Sequence, residues 1–106
     1  MDKKQVIKIT NNFIRRLTEE IQPKKIVLYG SWIEGHPDVE SDIDIAVILG
    51  SINTDYLEQL TRLYQIASKI DIRIEPVLFE ENNDPSGFLR KILDQGEVMY
   101  EHNSIP

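Results

Sequence analysis

Residues 29–47 run Tyr-Gly-Ser-Trp-Ile-Glu-Gly-His-Pro-Asp-Val-Glu-Ser-Asp-Ile-Asp-Ile-Ala-Val. An apolar strand, Lys25, Ile26, Val27, Leu28 and Tyr29, leads into Gly30-Ser31. Glycine at a strand end lets a phosphate approach the backbone closely. Ser31 is placed to cap a short helix starting at Trp32, whose first N–H groups would face an anion. A serine in such a place is more often a cap than a phosphate ligand, and it is the acidic residues downstream that tip the balance. From residue 42 to 49 the chain alternates, with Asp42, Asp44 and Ala46 on one side and Ile43, Ile45 and Val47 on the other. That is the period of a strand. Asp42 and Asp44 therefore stand on one face about 6–7 Å apart. Carboxylates so placed can converge on two cations about 3.5–4 Å apart, the spacing of two-metal phosphoryl transfer. Oxygen-only ligands select Mg²⁺ or Mn²⁺ over zinc.

A second alternation spans residues 70–77, with Ile70, Ile72 and Ile74 opposite Asp71, Arg73 and Glu75. It predicts a strand that carries Asp71 on its polar face. If the two strands are neighbours, Asp42, Asp44 and Asp71 meet on one open surface beside Gly30-Ser31. The isoleucines would fix both strands in the core and turn the aspartates outward. Aspartate is a poor strand former, so three of them on strand faces are not expected without a role. Glu75 is a candidate to replace or join Asp71, but its position next to Pro76 favours a structural part. Arg73 shares the face of Asp71 and can serve as a phosphate-side cation or pair with Asp71.

The flanking segments read as helices and short strands. Val6, Ile9, Phe13, Leu17 and Ile21 recur at steps of three and four, a helical face with Asp2 as its cap and Gln22-Pro23 as its stop. Leu57, Leu60, Leu63, Tyr64 and Ala67 mark a helix over residues 53–69, capped by Asn53 or Thr54. Its Leu57, Leu60, Tyr64 stripe is expected in the core, with Tyr29. Asp84-Pro85-Ser86 opens a last helix from Phe88 to about Asp94, Gly96 ends it, and residues 97–100 are expected as a closing strand. The fold class is α/β (α+β): a small mixed sheet backed by helices. One domain is expected over residues 1–106, with a loose tail at 102–106. Trp32 suits either a half-buried packing position or a stacking surface. His36, before a proline, is expected in an exposed loop, and His102 in the tail carries no assigned role.

Composition narrows the function. The chain has 106 residues, 41% of them hydrophobic, and no cysteine. Disulfides and thiolate metal sites are excluded. There is no signal-like apolar run near the N-terminus and no stretch long enough to span a bilayer, so a cytoplasmic protein is expected. The formal charge is −6, with basic residues in scattered pairs. Nucleic acid is a poor partner for such a surface, whereas a nucleotide carried with a divalent cation is allowed.

Gly30-Ser31, Gly35, Ser41-Asp42-Ile43-Asp44 and Ile70-Asp71-Ile72-Arg73-Ile74 together resemble the DNA polymerase beta-like nucleotidyltransferase superfamily, over roughly residues 25–76. The small size resembles its minimal (MNT) branch, whose members often act as antitoxins beside a helical HEPN partner. The resemblance implies that Asp42 and Asp44 bind two Mg²⁺ ions and that Asp71 binds the catalytic ion and helps to activate the attacking hydroxyl. It implies that Gly30 and Ser31 hold the β- and γ-phosphates of ATP or another nucleoside triphosphate. The reaction implied is transfer of a nucleoside monophosphate, AMP from ATP, to a hydroxyl of a HEPN-type partner protein. Glu34 departs from the pattern, since the family commonly carries arginine or lysine there. A carboxylate beside phosphates is repulsive. The resemblance therefore also admits a module with weak or absent catalysis that binds and masks its partner.

Overall fold

The computed structural model describes residues 1–35 and 42–102. The turn expected at His36-Pro37 and residues 103–106 of the expected tail lie outside the described residues. Helix α1 (Lys3–Thr18) starts where the sequence indicates. Asp2 accepts the Gln5 N–H at 2.8 Å while Gln5 accepts the Asp2 N–H at 2.9 Å. This reciprocal capping box satisfies two N–H groups at once. The helix ends before Gln22-Pro23, because the Glu19 N–H already turns back to Arg16 at 3.3 Å. Strand β1 (Lys25–Tyr29) has the expected bounds. Helix α2 (Ser31–Glu34) follows, then β2 (Ile43–Leu49), α3 (Tyr56–Ile70), β3 (Ile74–Glu80), α4 (Phe88–Gln95) and β4 (Glu97–Glu101).

Two expectations about α3 are corrected. Its cap is Asp55, which accepts the Leu57 N–H at 2.8 Å, and not Asn53 or Thr54. Its C-terminus reaches Ile70, so no strand begins there. Leu63, Ile66 and Ile70 continue the helical spacing into the core. Asp71 is the cap residue at the end of this helix, residues 72–73 form a turn, and β3 begins only at Ile74. Ile72, expected inside, is 88% exposed. Leu57 is exposed as well and Tyr64 partly so, so they do not belong to the core stripe.

The four-stranded mixed sheet has the order β3-β2-β1-β4. Strand β1 pairs antiparallel with both β2 and β4, and β2 pairs parallel with β3, across α3. Helices α1 and α3 cover one face, where Phe13, Leu17, Leu63 and Ile66 pack on Ile26, Leu28, Ile43, Ile45 and Val47. Helix α4 covers part of the other, with Leu89 and Ile92 on Val27, Ala46 and Ile48. Each such buried aliphatic side chain contributes about 1.5–3 kcal/mol. Strand β3 lies at the sheet edge, where Pro76 is tolerated, and the Tyr56 hydroxyl on α3 donates to its Leu78 carbonyl at 3.0 Å.

Candidate active site

The sheet register assembles the site. On the α4 face, beyond the apolar patch of Val27, Ala46 and Ile48, Tyr29 pairs with Asp44 and Asp44 with Glu75. One row across three strands thus reads Tyr29, Asp44, Glu75. Asp42 precedes Asp44 by two residues and keeps the parity of that face.

Gly30 connects this row to α2. Its backbone (φ 81°, ψ −153°) lies in a region open essentially to glycine alone. A methyl group there would overlap a carboxylate oxygen of Asp44 and stand 3.0 Å from its Cγ. The glycine therefore lets β1 end directly against Asp44. Gly30, not Ser31, occupies the cap position of α2, and its carbonyl accepts from Ile33 and Glu34 at 3.0 and 2.9 Å. Ser31 is the first residue of that helix. Trp32 is buried in the core on the α1/α3 side and packs there.

The row is electrostatically crowded. Burial, and then the charges of Asp42, Glu75 and Glu34, push the Asp44 carboxyl up to about 6 from 3.8. Burial, and then Asp44 and Glu75, push the Tyr29 phenol up to about 12. Tyr64 directs its hydroxyl to a Glu75 carboxylate oxygen at 3.4 Å, and desolvation together with Glu75 raises its pKa. Tyr29 is not plain core: it borders the row and meets Phe88 edge-to-face, ring centroids 6.1 Å apart.

Asp71 lies outside this group. Its carboxylate takes the Arg73 side chain at 2.9 and 2.7 Å and the Arg73 N–H at 2.9 Å. These bonds hold its pKa below the usual carboxylate range. Arg73 is therefore engaged as a partner of Asp71. In the parallel register Ile43 faces Ile74, so Asp44 is level with Glu75, four residues beyond Asp71. Among the described residues no three carboxylates form a preassembled metal-ligand cage.

The sequence matches the family described as polymerase beta, nucleotidyltransferase, over residues 11–105. The chain belongs to the polymerase beta nucleotidyltransferase family. It is 36% identical over 81 residues to a Methanocaldococcus jannaschii protein named "Putative protein adenylyltransferase", covering 73% of this chain and 78% of that one. Its fold is similar to a crystal structure of a toxin–antitoxin with AMP-PNP (TM-score 0.66, 26% identity, 88% of this chain and 73% of that one). It is also similar to a structure of a tri-AMPylated Shewanella oneidensis HEPN toxin in complex with an MNT antitoxin (TM-score 0.62, 24% identity, 94% of this chain and 73% of that one).

Within this nucleotidyltransferase, Gly30 and Ser31 follow the end of β1, Asp44 lies on β2, and Asp42, expected as the first residue of that strand, stands just before it. Glu75 takes the place beside Asp44 that sequence alternation allots to Asp71. One signal spoke against a strand at Asp71, the helical step from Ile66 to Ile70, but the parallel register that sets Glu75 beside Asp44 comes only from the sheet.

Proposed function

We propose that this chain transfers AMP from Mg-ATP to a hydroxyl group of a partner protein. The observation that carries this reading is the row itself. Asp42, Glu75 and Glu34 crowd negative charge onto Asp44, and a divalent cation relieves such crowding. Oxygen donors of this kind fit Mg²⁺. In this reading Asp42, Asp44 and Glu75 hold the metal, and Gly30 and Ser31 bound the phosphate path. Bound Mg²⁺ supplies charge neutralisation to the phosphates. The acceptor oxygen bonds to the α-phosphorus, the bond to the β-phosphate oxygen breaks, and pyrophosphate leaves. Glu75 is the carboxylate placed to take the acceptor proton, with Tyr64 orienting it. Asp71 and Arg73 lock the turn that brings Glu75 level with Asp44.

The family membership and the adenylyltransferase name of the relative support the transfer. The HEPN toxin complex supports an all-helical HEPN-type partner carrying the acceptor hydroxyl. Added AMP brings negative charge and bulk to that partner's surface. A second reading, a masking module, is favoured by Glu34, which adds like charge where phosphates would lie. The deciding experiment incubates the protein and a HEPN-type partner with Mg²⁺ and α-labelled ATP, followed by intact mass measurement. Label should move to the partner, and Asp44→Ala should abolish transfer. A stable complex whose partner stays unmodified would replace the transferase by the masking module.

A further inference from the structure

Tyr56 and Tyr64 stand about two turns apart on α3, and both reach β3. Tyr56 ends on a backbone carbonyl, that of Leu78, at 3.0 Å. That bond ties the helix to the strand. Tyr64 ends on a side chain instead, a carboxylate oxygen of Glu75 at 3.4 Å. A bond of that length is weak and easily released. Glu75 stands beside Asp44 in the row, and the charge of Asp42 also reaches the phenol. Among the described residues no other hydroxyl donates to a carboxylate of the row.

The Tyr64 hydroxyl thus already holds the relation to Glu75 that an acceptor needs, a donor within hydrogen-bond reach of the base. Packing does not account for it. Tyr64 is 43% exposed and lies outside the buried stripe of Leu63, Ile66 and Ala67. That stripe fixes α3 against the sheet, so a rigid element presents the phenol to the row. A hydroxyl held in this way reacts at a high effective concentration.

We propose that Tyr64 is itself an acceptor, and that with Mg-ATP the protein transfers AMP to Tyr64 of the same chain. The inference rests on the nucleotidyltransferase reading and adds a modification site to it. The Tyr64 oxygen bonds to the α-phosphorus, the bond from that phosphorus to the β-phosphate oxygen breaks, and pyrophosphate leaves. The phenol proton passes to Glu75. The product holds AMP covalently against the row and removes the hydrogen bond from Tyr64 to Glu75.

The test is incubation of the full chain with Mg²⁺ and α-labelled ATP, without and with a HEPN-type partner, followed by intact mass measurement and fragment mapping. The chain alone should gain one AMP, mapped to Tyr64. Asp44→Ala and Tyr64→Phe should both stay unlabelled. The fraction labelled per unit time should hold over about a tenfold dilution of the protein, as for an intramolecular step. AMP on any other residue, or a fraction that falls with dilution, would overturn the proposal. An unlabelled chain that does transfer AMP to the partner would also overturn it, while leaving the nucleotidyltransferase reading intact. Label on neither protein would remove both.

Discussion

Gly30→Ala should destabilise the protein and do so through Asp44. The backbone at Gly30 (φ 81°, ψ −153°) costs about 1–3 kcal/mol for any residue with a side chain. For a domain near 100 residues each kcal/mol lowers the thermal midpoint by about 4–8 °C. The backbone alone therefore predicts a drop of roughly 5–20 °C. The new methyl also overlaps the Asp44 carboxylate, which must rotate away. Gly35 supplies the control. It is left-handed too (φ 86°, ψ 16°), but a methyl there meets no described atom within 4 Å. Gly35→Ala should cost only the left-handed penalty of about 1–2 kcal/mol. Thermal unfolding of both variants, and of Gly30→Ala combined with Asp44→Ala, measures the difference. The double variant should recover the overlap component, with a coupling of about 0.5–3 kcal/mol. A midpoint for Gly30→Ala no lower than that for Gly35→Ala, or strictly additive effects in the cycle, would refute the close approach of Gly30 to Asp44.

Two further outcomes follow from the site. Glu75→Gln should abolish the gain in ATP affinity that Mg²⁺ confers, measured by calorimetry, while Asp71→Asn should largely keep it and instead lower stability by about 1–3 kcal/mol; the reverse pattern would return Asp71 to the site. Without divalent cations, stability should fall as pH rises from about 4 to 6, because the folded protein holds a proton on Asp44 (pKa about 6 against 3.8) that the unfolded chain has released. Asp71, with its lowered pKa, acts in the opposite sense only as pH falls below that range. Thermal midpoints across this window should lose the slope in Asp44→Asn, and a slope that persists would assign it to other groups.

Much of the fold was legible because local signals agreed. Asp2, the apolar steps of α1, the bounds of β1 and the alternation at Asp42 to Val47 each pointed one way, and tertiary structure kept them. Residues 70–77 carried two compatible periods. Ile70, Ile72 and Ile74 alternate like a strand, while Leu63, Ile66 and Ile70 step like a helix. The helix prevailed because Ile66 and Ile70 pack against the core, and the bond from Arg73 to Asp71 sealed the turn after it. Neither the parallel register nor the distance from turn to row is written in local pattern. For that reason Asp44 was identifiable from sequence as a row member, whereas its neighbour Glu75 required the sheet.

The outer side of β3 is closed in a way that bears on association. Arg73 points its carbonyl inward, to the Ile43 N–H at 2.8 Å, so Ile74, Pro76, Leu78 and Glu80 turn their backbone groups outward. Each offers an incomplete ladder position. Ile74 donates to Asp71 at 3.2 Å, Pro76 has no N–H, the Leu78 carbonyl holds the Tyr56 hydroxyl, and the Glu80 carbonyl holds the Asn83 N–H at 3.2 Å. An open edge strand invites strand addition by another chain and, with it, aggregation. Here an incoming strand would find one of the two hydrogen-bonding groups at each of these positions absent or already taken. The broken ladder weakens self-templating at this edge.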